Sequence, residues 1–301
     1  MENRITVELK DGVADVRLTR ADKMNALDDA MFSALIETGE RLKTLPGVRA
    51  IVLSGEGRAF CAGLDMGNFG KMASGERSGG KSSTGESLLT PNRTPGGSNR
   101  AQHAVMVWRE QPVPVIAAIH GVAFGGGFQL ALAADLRFVT ADTRMAVMEI
   151  KWGLVPDMAG MVLMKGLVRD DVARELTYTG RIFQGEEAAR LGIATRVCAD
   201  PYAEALALAA EIAGKSPTAI RGAKRLLDMP VESLDVIVTN RAISGKLLAE
   251  LGRGDLARGV FLAKLFRAGL EIPVAADTRI DRGDVMRLIG TVADVERAAR
   301  D

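Results

Sequence analysis

Residues 115–139 read VIAAIHGVAFGGGFQLALAADLRFV, an apolar segment interrupted by three consecutive glycines. The short runs Val115–Ile119 and Leu136–Val139 each predict a buried strand, because both are rich in apolar residues. Between them, the glycines lead into a stretch at 126–134 that predicts a helix. Strands that alternate with helices are typical of an α/β layered core. This stretch therefore predicts an α/β fold.

The same alternation extends towards the N-terminus. Residues 5–9 and 13–18 alternate apolar and polar side chains around an Asp-Gly turn, which predicts a hairpin. Residues 28–44 carry apolar side chains at helical spacing after capping aspartates, and residues 50–53 form a short apolar run typical of a buried strand. Together these segments predict an α/β core over residues 1–200.

The segment 67–100 is rich in Gly, Ser, Lys and Thr and poor in large apolar residues, so it predicts a flexible insertion. Within it, residues 75–82 (GERSGGKS) satisfy the P-loop pattern G-x-x-x-x-G-K-[ST]. A P-loop must leave a buried strand and open a helix, because the helix N-terminus helps to bind the phosphates. The flanking sequences support neither element, so an ATP site is not expected.

A change of pattern follows residue 200. Apolar residues at three- and four-residue spacing predict helices alone, over 202–213, 217–227, 231–251 and 255–265. These four helices predict a helical subdomain at 201–270. Residues 271–301 are predicted to form a C-terminal extension that ends in a charged, helix-like segment.

Composition excludes several functional classes. With 39 basic and 38 acidic residues, the net charge of +1 provides no general attraction to nucleic acid or to anionic membranes. The two cysteines and two histidines are not grouped at metal-ligand spacing, so we expect no disulfide framework and no metal site. The N-terminus is charged and strand-like, which predicts a cytoplasmic protein without a leader. Prolines within the uncharged stretch 111–134 argue against a membrane span.

Three stretches resemble the crotonase superfamily, also called the enoyl-CoA hydratase/isomerase family. They are RAFCAGLD (58–65), AIHGVAFGGG (118–127) and EIKWGLVPDMAG (149–160), and they match in order within roughly residues 4–265. The resemblance implies a spiral of β-sheets and helices with a C-terminal helical oligomerisation subdomain. It also implies an acyl-CoA substrate, no cofactor beyond the coenzyme A of that substrate, and a homotrimer or hexamer.

The glycines have a chemical reason in such an enzyme. An enolate that forms on a thioester carbonyl can be stabilised by two converging backbone N–H groups. Glycine lets the main chain approach a ligand closely, and a helix start leaves its first N–H groups unpaired. By position, the resemblance assigns these two donors to Gly126 and Leu64. It assigns contacts with the bent coenzyme A to Lys23, Met24, Ala62, Asp65 and Met66.

Proton transfer is predicted to depend on one glutamate. Hydratases of the family use two glutamates, one after the glycines and one at the start of the third motif. This chain has Gln129 at the first position and Glu149 at the second. An amide hydrogen-bonds but cannot exchange a proton as a base near neutral pH. Asp157, eight residues after Glu149, resembles a second carboxylate of the dienoyl-CoA isomerase branch, although N-capping is an alternative role.

The sequence thus favours isomerisation of an enoyl- or dienoyl-CoA thioester with Glu149 as base. Asp157 is then a second acid/base or an orienting group. Hydration through Glu149, with a water held by Gln129, is the alternative within the family. A non-catalytic coenzyme A-binding or scaffold protein is the alternative from another class.

Overall fold

The computed structural model describes a chain of two compact units, Met1–Lys224 and Arg225–Asp301. The sequence suggested divisions at residues 200 and 270 instead. Most of the predicted insertion, the P-loop-like segment 75–82 and Met66 lie outside the described residues, so their predicted roles stay predictions. The described residues are 4–65, 67, 93–228, 231–252, 254 and 257–300.

The strands described in the first unit are β1 (Ile5–Lys10), β2 (Val13–Leu18), β3 (Ala50–Gly55), β4 (Val115–Ile119), β5 (Val122–Phe124), β6 (Leu136–Val139), β7 (Arg144–Ala146), β8 (Phe183–Gln184) and β9 (Arg196–Val197). Six of them form a sheet in the order β1-β2-β3-β4-β6-β9, and β5-β7-β8 form a smaller sheet. The predicted hairpin is confirmed, because β1 and β2 pair antiparallel; every later pair of the large sheet is parallel.

The helices described here are α1 (Asp29–Thr44), α2 (Arg100–Arg109), α3 (Gly126–Leu132), α4 (Gly160–Met164), α5 (Asp170–Thr179), α6 (Gly185–Leu191), α7 (Pro201–Ala213) and α8 (Pro217–Asp228). The predictions of helices at 28–44, 126–134, 202–213 and 217–227 are thus confirmed within a few residues. Two 3₁₀ turns, Ala21–Lys23 and Glu149–Trp152, lie close to the candidate site described below. Among the described residues, no helix combines the length and apolar composition needed to cross a membrane.

The central strands β3 and β4 are buried on both faces, which explains their uncharged, mostly apolar sequences. On one face, a large cluster joins strand residues such as Val16 and Leu53 to α1, α2 and α3. On the other face, Ala205 and Ala209 of α7 pack against Val52 and neighbouring strand residues. The sheet is therefore a central layer that holds the start of α3 in a fixed place.

The second unit differs from the sequence prediction. It contains β10 (Val231–Ile237), α9 (Leu248–Leu251), β11 (Val260–Arg267), β12 (Leu270–Ile272), β13 (Val285–Thr291) and α10 (Val292–Arg300). Its four strands form an antiparallel sheet in the order β10-β13-β11-β12. The helix predicted over 255–265 is wrong, and the one predicted over 231–251 survives only as the single turn α9. Apolar residues at mixed spacing are compatible with the period of a helix and with that of a strand. Pairing with β13 stabilises the strands.

Two features of α1 show how local sequence positions the first unit. The Asp28 side chain caps the helix by accepting from the Met31 N–H at 2.8 Å. Further along, Gly39 faces α2 so closely that a Cβ placed there would lie 2.5 Å and 2.7 Å from the two Cγ atoms of Val107. The absence of a side chain at Gly39 therefore sets how closely α1 and α2 pack.

We expect Gly39→Ala to lower the free energy of unfolding by about 1–2 kcal/mol. Alanine stabilises a helix by up to about 1 kcal/mol relative to glycine, but the buried, β-branched Val107 cannot move aside easily. Gly222→Ala in α8 is the matched control, because a Cβ there meets nothing within 4 Å. Urea unfolding measures both variants, and equal stabilisation of the two would contradict the proposed packing constraint.

Candidate active site

A cavity of about 600 Å³ lies in the first unit, where several of the sequence motifs meet. A volume of this size suits a small-molecule ligand. Its walls come from the turn after β2, the segment after β3, the start of α3 and the 3₁₀ turn that contains Glu149. The lining residues are Asp22, Lys23, Met24, Ala26, Ala62, Gly63, Leu64, Asp65, Gly67, Phe124, Gly125, Gly126, Met148, Glu149, Trp152 and Leu154.

Backbone hydrogen bonds join the first two walls. The Ala62 N–H donates to the Met24 carbonyl at 2.9 Å, and the Leu27 N–H donates to the Gly63 carbonyl at 2.7 Å. The Asp65 N–H donates to the Leu27 carbonyl at 3.1 Å. This ladder brings two segments that are distant in sequence alongside each other and so forms one side of the cavity.

The turn that precedes this ladder is held by a buried amide. Met24 and Asn25 both have left-handed backbones, with φ of 50° and 55°. The fully buried Asn25 side chain donates to the carbonyls of Glu56 at 3.0 Å and Ala59 at 2.8 Å. Asparagine tolerates the left-handed region better than most residues, and its amide adds the bonds that keep the turn closed.

Gly63 brings the second wall against the start of α3. Its φ is +87°, and a Cβ placed on it would lie 2.5 Å from the Phe124 carbonyl oxygen and 3.5 Å from the Gly126 nitrogen. Within the described residues, no acceptor takes the N–H of either Leu64 or Gly126. Both residues line the cavity. Two unpaired donors thus lie on neighbouring parts of the same wall.

Glu149 is the buried carboxylate of the site, with 8% of the residue exposed. Its Oε1 accepts a hydrogen bond from Gln129 Nε2 at 2.6 Å, and its Oε2 has no partner among the described residues. Burial raises the pKa of Glu149, and the charge of Asp157 raises it further, while the bond from Gln129 lowers it. The balance raises the pKa above the usual value for glutamate, towards the range useful for a general base.

Gln129 lies behind this carboxylate and is not one of the residues that line the cavity. Only 1% of it is exposed, and its Oε1 accepts a hydrogen bond from the Gly160 N–H at 2.9 Å. Gln129 therefore contacts the candidate base, not the space that a substrate would occupy.

Asp157 precedes α4 and is exposed. It does not line the cavity, although its charge acts on Glu149. Although the residue as a whole is exposed, nearby protein atoms partly desolvate its carboxyl group, which raises the pKa of Asp157. The alternative role of Asp157 as an N-cap is not observed for α4. The residue at the N-cap of this helix is Ala159, and no side chain caps the helix.

The predicted coenzyme A contacts are brought together except for Met66, which lies outside the described residues. Lys23, Met24, Ala62 and Asp65 line the cavity. Sequence reasoning missed Arg20, whose Nη1 lies 2.5 Å from an Asp65 carboxylate oxygen and 3.1 Å from the Ala26 carbonyl. It also missed the apolar lining residues Met148, Trp152 and Leu154, because no spacing rule distinguishes them from core residues.

One group of side chains has metal-ligand spacing in the described part of the chain, namely Glu40, His103 and Glu110. The Lys43 ammonium already donates to both carboxylates, at 2.8 Å and 2.9 Å. The Lys43 ammonium group thus already pairs with the carboxylates of Glu40 and Glu110. None of these residues lines the cavity.

Comparison with known proteins agrees with this arrangement. The sequence profile described as enoyl-CoA hydratase/isomerase matches residues 8–259. The chain is 33% identical over 239 residues to the mitochondrial Delta(3,5)-Delta(2,4)-dienoyl-CoA isomerase of Mus musculus, covering 75% of this chain and 70% of that protein. It is 31% identical over 235 residues to the (E)-benzylidenesuccinyl-CoA hydratase of Thauera aromatica, covering 76% and 85% respectively.

Solved structures give the same result. An enoyl-CoA hydratase/isomerase from Mycobacterium paratuberculosis superposes with a TM-score of 0.66 at 27% identity, covering 75% of this chain and 85% of that one. An enoyl-CoA hydratase from Mycobacterium smegmatis superposes with a TM-score of 0.61 at 30% identity, covering 75% and 82%. The predicted crotonase-like fold and the resemblance are confirmed: the chain belongs to the enoyl-CoA hydratase/isomerase family.

Proposed function

We propose that this enzyme isomerises enoyl- or dienoyl-CoA thioesters by a proton shift that Glu149 carries out. The supporting observation is that the described part of the cavity wall has a single buried carboxylate, with Gln129 in place of a second one. Glu149 removes a proton from one carbon, and the thioester carbonyl becomes an enolate oxygen. In an enoyl thioester, the protonated Glu149 then returns the proton two carbons away, so that one carboxylate completes the reaction. In a 3,5-dienoyl thioester, the proton returns four carbons away, at the end of the conjugated dienolate.

The N–H groups of Leu64 and Gly126 form the oxyanion hole in this proposal. Their lack of intramolecular acceptors within the described residues supports the assignment, as does their position on the cavity wall. Each such donor contributes about 3–4 kcal/mol to transition-state stabilisation in enzymes of this kind. Gly126 also begins a helix, whose dipole favours negative charge at this end.

The coenzyme A moiety is proposed to bind along the turn and the segment after β3. The contacts are assigned to Lys23, Met24, Ala62, Asp65 and Met66, of which the first four line the cavity. The ion pair between Arg20 and Asp65 supports this wall, since it ties the carboxylate to the protein and leaves Lys23 as the nearby cation for phosphate. No further cofactor or metal is proposed.

Hydration is the second candidate, and hydratases among the relatives favour it. It requires a water molecule activated beside Glu149. The buried position of Gln129 behind the carboxylate argues against a water held by this amide. A non-catalytic coenzyme A-binding or scaffold protein would not need the raised pKa of Glu149, which argues against that alternative.

We further propose a cytoplasmic homotrimer or hexamer. Both cysteines are free, which suits a reducing compartment. Exposed apolar side chains on the first unit, including Ile150, Val155 and Val162, suit an interface between copies of the chain. Sedimentation equilibrium measures the assembly, and a monomer at micromolar concentration would contradict it.

We expect Glu149→Gln to reduce turnover by at least about 10²-fold while acyl-CoA affinity changes little, because the amide preserves shape but cannot accept the proton. The assay uses 3-enoyl, 2-enoyl and dienoyl thioesters, with ultraviolet absorbance and deuterium exchange as measurements. Wild-type turnover limited to 2-enoyl substrates would favour the hydratase. Binding of coenzyme A without turnover or exchange on any substrate would favour the scaffold.

The pH dependence tests the role of Asp157. Because the base must be ionised, activity is lost as pH falls through the raised pKa of Glu149. Asp157→Asn removes a negative charge that raises this pKa, so we expect the acid limb of kcat/KM to move to lower pH with turnover largely retained above it. A loss of about 10²-fold or more at all pH values would instead identify Asp157 as a second acid/base.

A further inference from the structure

We propose that Gln129 is a positioning residue, whose side-chain amide links the Gly160 backbone to Glu149 and holds that carboxylate with Oε2 left for proton transfer. The inference rests on the proposed function, because it gives Gln129 a task only if Glu149 is the base. In this proposal, Gln129 contacts neither a catalytic water nor the substrate.

The geometry is a chain of two hydrogen bonds. The Gly160 N–H donates to Gln129 Oε1 at 2.9 Å, and Gln129 Nε2 donates to Glu149 Oε1 at 2.6 Å. All three residues are buried, so neither bond competes strongly with water. One carboxylate oxygen is thereby occupied, and the other has no partner among the described residues.

The Gly160 N–H determines which way the amide faces. A backbone N–H can only donate, so it requires the oxygen of the Gln129 amide, and the nitrogen must then face Glu149. An ionised glutamate at position 129 would place a second negative oxygen against Glu149. One of the two carboxyl groups would then retain a proton. Gln129 thus keeps Glu149 the only carboxylate at this contact.

Gly160 is shaped to fit this amide. A Cβ placed on Gly160 would lie 2.4 Å from Gln129 Cγ and 2.8 Å from its Oε1. The backbone at Gly160 is not left-handed, so the main chain itself would accept alanine. The reason for glycine at this position is therefore the space that the Gln129 side chain occupies.

The bond from Gln129 also acts on the charge of the base. It favours the ionised carboxylate, whereas burial and the charge of Asp157 favour the protonated one. The other ionisable residues on the cavity wall are Asp22, Lys23 and Asp65, the last of which is paired with Arg20. Loss of the bond should therefore make Glu149 harder to ionise, and a purely structural role of Gln129 would not do so.

The first test is Gln129→Met, which keeps the length and removes both hydrogen bonds. We expect kcat/KM at neutral pH to fall about tenfold or more, as the loss of a hydrogen bond to a charged group implies. The acid limb of the pH profile should move to higher pH. The matched control is Gln111→Met, because Gln111 is equally buried and donates at 2.8 Å to the carbonyls of both Gly39 and Val107.

The second test leaves Gln129 in place. Gly160→Ala should push the amide away from its two partners and move the acid limb in the same direction, with Gly222→Ala as its control. This variant decides the question if Gln129→Met does not fold. We expect both control variants to keep the wild-type pH profile, even where thermal unfolding shows that Gln111→Met is less stable.

The outcomes separate this inference from the proposed function. If Glu149→Gln retains turnover, the base is wrong and the positioning role is wrong with it. If Glu149→Gln is inactive while folded Gln129→Met and Gly160→Ala keep the wild-type acid limb, only the positioning role is wrong. An acid limb moved to higher pH in these variants and in neither control supports it.

Discussion

The cavity depends on one constraint, which is that two backbone segments touch without side chains between them. A Cβ on Gly127 would lie 2.3 Å from the Cys61 carbonyl oxygen, and one on Gly63 would lie 2.5 Å from the Phe124 carbonyl oxygen. A Cβ on Gly121 would lie 2.0 Å from the Arg58 carbonyl oxygen. Three glycines thus allow the segment after β3 to run along β5 and the start of α3. Any side chain there would separate the two N–H donors.

Part of this constraint could be predicted from sequence. The resemblance assigns the two N–H donors to Leu64 and Gly126, and both residues line the cavity. The close contact between the two segments is a long-range feature that the motifs do not specify. The contact between Gln129 and Glu149 could not be predicted in the same way. The residues lie on different elements, and only the packing of α3 against the 3₁₀ turn brings the amide to the carboxylate.

The second unit illustrates a different limit. Apolar spacing predicts helices over 231–251 and 255–265, whereas β10 and β11 in these regions are strands paired with β13. Their partner lies in the extension at 271–301, a region whose role the sequence left open. Where stability comes from pairing with a distant segment, local periodicity contains only part of the information.

Magnitudes explain why the pKa of Glu149 is raised despite a short hydrogen bond. Burying an ionised carboxylate costs several kcal/mol, whereas one hydrogen bond to a charged group returns about 1.5–3 kcal/mol. Backbone hydrogen bonds and the bond from Gln129 offset desolvation only in part, and the charge of Asp157 adds to it, so the pKa stays raised.

Cys61 offers a natural reporter of this wall. Its thiol is fully buried, donates to the Asn25 carbonyl at 3.1 Å, and has its pKa raised to about 12 by burial. The thiolate that reacts with alkylating reagents is therefore scarce while the wall is closed. The more accessible Cys198 should be labelled first. Alkylation of Cys61 would then report the rare local opening in which the segment after β3 separates from the turn at Asn25. The rate of alkylation would give the free energy of that opening.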